Sequence, residues 1–206
     1  MKRLGEPRIL AEKKAEWQKS YDEKRAANPR PESKQYAHKE IVDTLKTMSH
    51  GKCFYCEGDG PMTVDHYIEV AERGDLAFTW ENLYLACKHC QKKVRNSSIP
   101  VTDCVDPCDP ATDPADHLKF EAEIISWRTP RGEQTVKKYR LKLLDNDRIR
   151  LLRQFDQELK DIGRTKPWPQ MSAAEREQLR RYAKDDMPFS AMFRAYLDRH
   201  GLLHDA

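Results

Sequence analysis

Four of the six cysteines stand in two Cys-x-x-Cys pairs, the spacing of metal-binding thiolates. Cys53 and Cys56 form the first pair, Cys87 and Cys90 form the second, and 30 residues separate the pairs. Each such turn can aim two thiolates at one ion, and four thiolates suit tetrahedral zinc. A redox role is disfavoured because neither pair lies in a βαβ pattern. The sequence therefore predicts a structural Zn²⁺ site.

The remaining cysteines, Cys104 and Cys108, have a different context. They are spaced Cys-x-x-x-Cys in an acidic stretch, and His117 is the one histidine nearby. Five aspartates and three prolines fall between Asp103 and Asp116, and both residue types favour turns. We expect a surface loop with free thiols here, and a second metal site is the weaker alternative.

The segment between the two cysteine pairs carries residues suited to acid–base chemistry. Residues 64–68 alternate as on a β-strand, so Asp65 and His66 should point to opposite faces. Residues 83–86 predict a second strand that enters the second pair, and the run from Cys87 has the character of a helix start. The predicted order is β, β, α with a zinc clasp at its base.

These residues resemble the HNH endonuclease family, whose ββα-metal motif has Asp-His on the first strand, Asn before the second strand and His or Asn on the helix. The matching positions are Asp65, His66, Asn82 and Gln91. The phrases GKCFYCE, WENLYLACKHC and VDPCDP…DHLKF resemble more closely the HNH subunit, PtuB, of Septu-type and retron-associated anti-phage systems. The likeness extends over most of the chain and is most specific in the clasp.

The resemblance implies a metal-dependent nuclease that hydrolyses phosphodiester bonds of DNA or RNA. His66 would deprotonate the attacking water, and Asn82 would hold and orient the imidazole. Asp65 and Gln91 would bind Mg²⁺ or Mn²⁺, since oxygen ligands suit these hard cations as thiolates suit zinc. The resemblance also implies a partner, an ABC/SMC-like ATPase called PtuA, for which the helical flanks would provide docking surfaces.

Two positions depart from the family pattern. Gln91 is longer than Asn and uncharged, so His89 or Asn96 is an alternative source of that ligand. Glu69 stands where the family often has Pro, and it is either an extra ligand or simply exposed to solvent. The alternative function is a zinc-knuckle nucleic-acid-binding or scaffold subunit with an inactive HNH site.

The charges are unevenly placed, although the net charge is only +3. Residues 128–153 hold nine basic and three acidic residues, whereas residues 103–123 hold one basic and seven acidic residues. Residues 82–102 contain no Asp or Glu, and such a run would present cations to a polyanion beside the reacting phosphate. The predicted nucleic-acid contacts in that run are Lys88, Lys92, Lys93 and Arg95.

Composition limits what kind of protein this is. Of the 206 residues, 34% are charged and 38% are hydrophobic, so the apolar core is modest and a metal clasp would supplement it. The longest stretch without a charged residue is eight residues, Pro167 to Ala174, which excludes a membrane span. The start, MKRLGEPRIL, lacks the apolar region of a secretory signal, so we expect a cytoplasmic protein.

The elements that must position these residues are mostly helical. The fold class we expect is α+β, mainly helical, with a ββα-metal HNH core and a four-cysteine zinc knuckle flanked by N- and C-terminal helices. We divide the chain into residues 1–50, 51–117 and 118–206. In the first half we expect a helix over 9–27, stopped by the NPRP run at 28–31, and a second helix capped by Ser33. In the second half we expect a hairpin near 120–132 and a buried helix from Asp147. A capping box at Ser172 and Glu175 should open a further helix, and the last helix should span 188–199.

Overall fold

Two helices open the chain. A computed structural model describes residues 1–28, 31, 33–163 and 170–204. Helix α1 spans Arg8–Arg25, and α2 spans Lys39–Ser49 with Ile41, Leu45 and Met48 buried along one face. The predicted cap at Ser33 is wrong, because the N-cap of α2 is His38, whose Nδ1 accepts a hydrogen bond from Glu40 N. Residues 29, 30 and 32, in and beside the predicted NPRP stop, lie outside the described residues.

An antiparallel hairpin follows α2, as predicted. Strand β1 spans Met62–His66 and pairs with β2, Leu83–Cys87, so that Met62 lies opposite Cys87 and His66 lies opposite Leu83. Residues 83–86 of β2 are all buried, which is why this strand is apolar throughout. The register brings the second cysteine pair back beside the start of β1.

The helix expected from Cys87 onward is the main local correction. The run after β2 forms a 3-10 turn at Cys90–Lys92, and a second 3-10 turn follows at Val101–Asp103. The reason is tertiary: Val94 N donates to the carbonyl of Lys138, and the Lys138 ammonium donates to the carbonyls of Val94 and Ile99. These backbone groups are therefore satisfied by another helix instead of by helical bonds of their own.

A second hairpin and five helices form the remainder of the described chain. Thr129 caps α4 through its Oγ1, and Pro130 is the first helical residue, so the run TPRG begins a helix instead of forming the expected turn. The capping box at Ser172 and Glu175 is confirmed. None of the described helices is both long and apolar enough to cross a membrane. The elements are α3 Pro114–His117, β3 Leu118–Glu121, β4 Ile124–Trp127, α4 Pro130–Lys138, α5 Asp145–Gly163, α6 Ala173–Arg180 and α7 Ser190–Arg199.

Buried apolar side chains fall into two clusters. The first joins α1, α2, the β1–β2 hairpin, β4 and α4, and the second joins α5, α6 and α7. Phe120 of β3 packs against both clusters. The predicted fold class, mainly helical α+β with small antiparallel sheets and clustered cysteines, is confirmed, and the three-part division of the chain stays a prediction.

Candidate metal-binding and catalytic site

The four cysteines of the two Cys-x-x-Cys pairs converge as predicted. Their sulfur atoms all lie within 4.8 Å of one another, and Cys56 Sγ is 3.8 Å from Cys87 Sγ. Tetrahedral zinc with Zn–S bonds of about 2.3 Å separates its sulfurs by about 3.8 Å. Backbone N–H groups of Gly58 and Cys90 point at Cys56 Sγ and Cys87 Sγ. The donor set fits a zinc ion, and we call these four cysteines the zinc knuckle.

A buried arginine lies beside the zinc knuckle. Burial lowers the pKa of the Arg148 guanidinium, while Asp145 and the thiolates of Cys56 and Cys90 act in the opposite direction. Arg148 Nη1 donates to Asp145 and to the carbonyl of Leu141, and its buried Nε makes no hydrogen bond among the described residues. Zinc bound to four thiolates has a formal charge of −2, so the Arg148 guanidinium would offset part of this negative charge.

The zinc knuckle is joined to the N-terminus of α7. Glu57, at a left-handed φ of 58° just after the first cysteine pair, accepts from Ala191 N at 2.8 Å with its side chain and from Phe189 N at 3.0 Å with its carbonyl. Buried Lys52 donates to the carbonyl of Met187 and to Ser190 Oγ. A carboxylate at a helix N-terminus is stabilised by the unpaired N–H groups there. No pattern in the sequence had indicated this link.

The Asp65 carboxylate is already paired. It accepts from Tyr55 Oη at 2.9 Å and forms an ion pair with Lys93, whose ammonium also donates to the carbonyl of His66. The Lys93 side chain is 3% exposed and that of Asp65 is 12% exposed. Lys93 is therefore not the surface phosphate contact that its place in the basic run predicts.

Stacked tyrosines support this ion pair. Tyr55 lies on Tyr139 with ring centroids 4.1 Å apart, and Tyr67 lies on Tyr84 at 4.9 Å. Burial raises the pKa of Tyr55 well above its usual value, so its hydroxyl stays protonated and donates a hydrogen bond to Asp65. The sheet face that carries Asp65 is thus rigidly packed.

The imidazole of His66 is held in one tautomer. His66 Nε2 lies 2.9 Å from the carbonyl oxygen of Ala77, and a carbonyl can only accept, so Nε2 carries the hydrogen and Nδ1 keeps its lone pair. Burial lowers the pKa of His66, partly opposed by the bond to Ala77. The ring of Tyr36 packs edge-on at 4.9 Å. His66 is consequently a neutral base at neutral pH.

Asn82 does not hold the imidazole directly, which corrects the predicted contact. Its buried amide accepts from Ile68 N at 2.7 Å and donates to the carbonyls of Ile68 and Leu76. These bonds fix both ends of the loop between β1 and β2, and Ala77 follows Leu76 in that loop. Asn82 is therefore linked to His66 through the loop backbone that includes Ala77.

Gln91 lies on the same face of the hairpin as Asp65 but bonds elsewhere. Its Nε2 donates to Thr63 Oγ1 at 2.5 Å and to the carbonyl of Ala86 at 2.9 Å. Thr63 and Asp65 are two residues apart in β1, so their side chains share one face. Both bonds to the Asp65 carboxylate, from Tyr55 and from Lys93, go to Oδ2, and the Gln91 bonds use its amide nitrogen, so the pairing of Asp65 and Gln91 as ligands stays a prediction.

The alternative ligands are also engaged. His89 Nε2 donates to the carbonyls of Tyr139 and Arg140, which turns the ring towards the end of α4. Asn96 accepts from Val101 N and donates to Glu72, while Glu69 accepts from the backbone N of Asn96. These side chains join loops of the domain and do not extend the Asp65 site.

Cys104 and Cys108 form no disulfide, and both are buried instead of lying exposed in a surface loop. Burial raises the pKa of each thiol to about 11, which keeps the thiols protonated and unreactive at neutral pH. The acidic loop is pinned to α4, because Arg131 donates to the carbonyl of Cys104 and Thr135 Oγ1 accepts from Val105 N. The two cysteines fill core space beneath the loop.

Three of the four predicted nucleic-acid contacts are accessible. Lys88, Lys92 and Arg95 are exposed around the second cysteine pair, unlike Lys93. Lys138, which sequence reasoning missed, is buried and holds the loop that carries these residues. The zinc knuckle thus presents cations on the chain segment that follows it.

Comparison with known proteins agrees with this arrangement. The model of the HNH endonuclease family matches residues 53–97, from the first cysteine of the zinc knuckle to just beyond the basic run. This confirms the resemblance: residues 53–97, called the HNH domain below, match the model of the HNH endonuclease family. Residues matched by that model include all four cysteines, Asp65, His66, Asn82 and Gln91.

Curated relatives narrow the likeness further. The chain is 25% identical to the Septu protein PtuB of Bacillus mycoides (strain KBAB4), over 52% of this chain and 48% of that protein. It is 27% identical to the Septu protein PtuB of Bacillus thuringiensis, over 49% of this chain and 40% of that protein. The chain thus matches less than half the length of each relative. No solved structure matches it.

Proposed function

We propose that the chain is a nuclease that hydrolyses phosphodiester bonds of DNA or RNA, with His66 as the general base. The observation that carries this proposal is the fixed tautomer of His66. With Nε2–H donated to Ala77, Nδ1 is the ring nitrogen that would take a proton from water, and the lowered pKa keeps the ring unprotonated. Asn82 acts as a positioning residue because it fixes the loop that carries Ala77.

The metal requirement follows from the family resemblance. Zinc would be structural, held by the zinc knuckle, and a catalytic Mg²⁺ or Mn²⁺ would use the oxygens of Asp65 and Gln91. Such a cation supplies charge stabilisation to the reacting phosphate when it is bound. The Lys93 ammonium, which pairs with Asp65 Oδ2, would compete electrostatically with that cation for the carboxylate. The exposed side chains of Lys88, Lys92 and Arg95 would contact phosphates of the bound nucleic acid.

The biological setting is proposed from the relatives. Their likeness to this chain supports an effector subunit of an anti-phage system that works with an ABC/SMC-like ATPase of the PtuA type. The matched length is limited, so the partner is a proposal for this chain. A cytoplasmic location also stays a prediction.

A second candidate function is favoured by a specific observation. Asp65 is neutralised by Lys93, and Gln91 is bonded to Thr63 and Ala86. A domain in which a lysine already offsets the charge of the metal-facing carboxylate, beside an uncharged Gln91, would suit a nucleic-acid-binding or scaffold subunit without catalysis. This candidate predicts binding of DNA or RNA with no strand cleavage in Mg²⁺ or Mn²⁺.

A cleavage assay separates the two functions. The full chain is assayed with labelled DNA and RNA, with and without its candidate ATPase, in Mg²⁺ and in Mn²⁺. We expect His66→Ala to reduce the cleavage rate at least about 100-fold, because proton transfer from the attacking water is lost. The matched control His204→Ala changes an exposed histidine and should leave the rate unchanged.

Two results contradict the proposal in different ways. Equal cleavage by the wild type and by His66→Ala would remove His66 from catalysis. Binding without cleavage in every metal and with the ATPase present would support the second function instead.

A further inference from the structure

A small groove lies outside the HNH domain, between the end of β4, the last turn of α4 and the loop that leads to α5. Its volume is about 250 Å³. Two of its apolar residues are unusually accessible, since Leu143 is 71% exposed and Trp127 is 36% exposed. The lining residues are Trp127, Val136, Lys137, Arg140, Lys142 and Leu143.

The charge of the groove has one sign. Three of the six lining residues are basic and none is acidic. Lys137 is paired with Glu133, but Arg140 and Lys142 have no carboxylate partner among the described ion pairs. The Lys142 ammonium stands 4.9 Å from the centroid of the Trp127 ring, so a cation and an aromatic face form one unit. Such a surface attracts an anionic ligand with a flat apolar part.

The groove adjoins the basic run of the HNH domain. His89 Nε2, within the second cysteine pair, donates to the carbonyl of Arg140 at 3.1 Å. Exposed Lys88 precedes His89, and exposed Lys92 follows the pair. Basic side chains therefore lie on both sides of the contact between His89 and Arg140. One nucleic-acid strand could bind them continuously from the HNH domain to the groove.

We propose that this groove binds an unpaired strand of the nucleic acid held at the HNH domain. Proteins that bind single strands combine a basic groove with aromatic side chains on which bases stack. Trp127 would stack on a base, with Arg140 and Lys142 contacting the adjoining phosphates. The inference deepens the proposed function, on which it rests, by adding a preference for substrates with an unpaired extension, but it concerns binding and not cleavage.

The test compares two labelled duplexes that differ only in an unpaired extension. Binding is measured by fluorescence anisotropy over a range of salt concentrations, with the full-length His66→Ala protein so that no substrate is cut. We expect the extension to tighten binding by about tenfold through stacking and phosphate contacts. Trp127→Ala should abolish this gain, and it should leave the affinity for the blunt duplex nearly unchanged.

Further variants keep the result clear if Trp127→Ala folds poorly. Leu143→Glu changes an exposed side chain and places a negative charge beside the strand, so it should also reduce the gain. Arg140→Gln with Lys142→Gln should lower the salt slope for the extended duplex by about 1.4, from two lost single-strand contacts. The control pair, Lys19→Gln with Lys46→Gln, alters exposed lysines on α1 and α2 and should leave the slope of the extended duplex unchanged.

The outcomes separate this inference from the proposed function. Equal affinity for the two duplexes, or a gain that survives in all groove variants, overturns the inference. Loss of ATPase association in Trp127→Ala, with strand binding intact, also overturns it and makes the groove a protein-docking site. A preference for the extension in a chain whose wild type never cleaves supports the inference and refutes the nuclease.

Discussion

The zinc knuckle and the sheet face that carries Asp65 share one hairpin, yet they are built differently. The four ligand atoms of the zinc knuckle lie within 4.8 Å of one another, because each pair comes from a single turn and the β1–β2 register joins the turns. On the other face, Asp65 is paired with Lys93 and Gln91 with Thr63. Ligands that arrive in pairs on local turns converge by backbone geometry, whereas single ligands from separate elements find partners inside the protein.

Removing one thiolate of the zinc knuckle should have the largest effect of the substitutions that test this difference. We expect Cys90→Ser to lower zinc from about one ion per chain to nearly none. The midpoint of thermal unfolding should fall by more than about 10 °C, because zinc binding contributes to folding. Elemental analysis and circular dichroism measure these two effects. Cys104→Ser, the matched control, should retain zinc and lose only about 2–4 °C.

The cation beside the zinc knuckle offers a smaller perturbation. Arg148→Met should weaken zinc binding by about 10–100-fold, because residues that surround a metal site tune its affinity to that extent. Competition with a chromogenic chelator measures the affinity. Arg150→Met, an exposed substitution on the same helix, is the control. Equal zinc affinity in both variants would show that Arg148 has no influence on the zinc knuckle.

The smallest effect concerns Lys93 on the opposite face. Lys93→Met removes the cation that competes for Asp65, so we expect Mn²⁺ to bind about tenfold more tightly, a shift of about 1.4 kcal/mol. The variant should be less stable without metal, because it leaves a buried carboxylate unpaired, and Mn²⁺ should stabilise it more than the wild type. Thermal unfolding with and without Mn²⁺ measures this difference.

Two variants control the Lys93 experiment. Lys92→Met changes an exposed neighbour and should respond to Mn²⁺ as the wild type does. Adding Asp65→Asn to Lys93→Met should remove the gain, because the oxygen ligand is then uncharged. If Lys93→Met gains no Mn²⁺ affinity, Lys93 does not block the cation site, and the two faces are more alike than the structure indicates.

Local patterns in the sequence predicted the zinc knuckle and the regular elements well. Cys-x-x-Cys spacing is a short-range property, and so are the apolar repeat of α2 and the capping box at Ser172 and Glu175. The alternation at residues 64–68 also indicated a strand, because side chains on a strand alternate by geometry alone, although β1 begins two residues earlier and ends at His66. These features depend on neighbours within a few residues.

The parts that sequence reasoning missed depend on distant partners. The run after Cys90 resembles a helix locally, but the ammonium of Lys138 donates a hydrogen bond to the carbonyl of Val94, 44 residues away in sequence. Lys93 belongs to a basic run, yet its ammonium is drawn into the sheet by Asp65 from 28 residues away. Asn82 contacts Ile68 instead of His66 because the loop between the strands folds back on it. No local pattern encodes which residue supplies the partner.

The bond from Glu57 to the first turn of α7 has a consequence for the order in which the chain folds during synthesis. Glu57 and Ala191 are 134 residues apart, and contacts of such separation form late. The first cysteine pair therefore leaves the ribosome long before the helix that completes its surroundings. Until α7 has been synthesised and has packed against Glu57, the thiols are accessible to zinc, to oxidants and to chaperones.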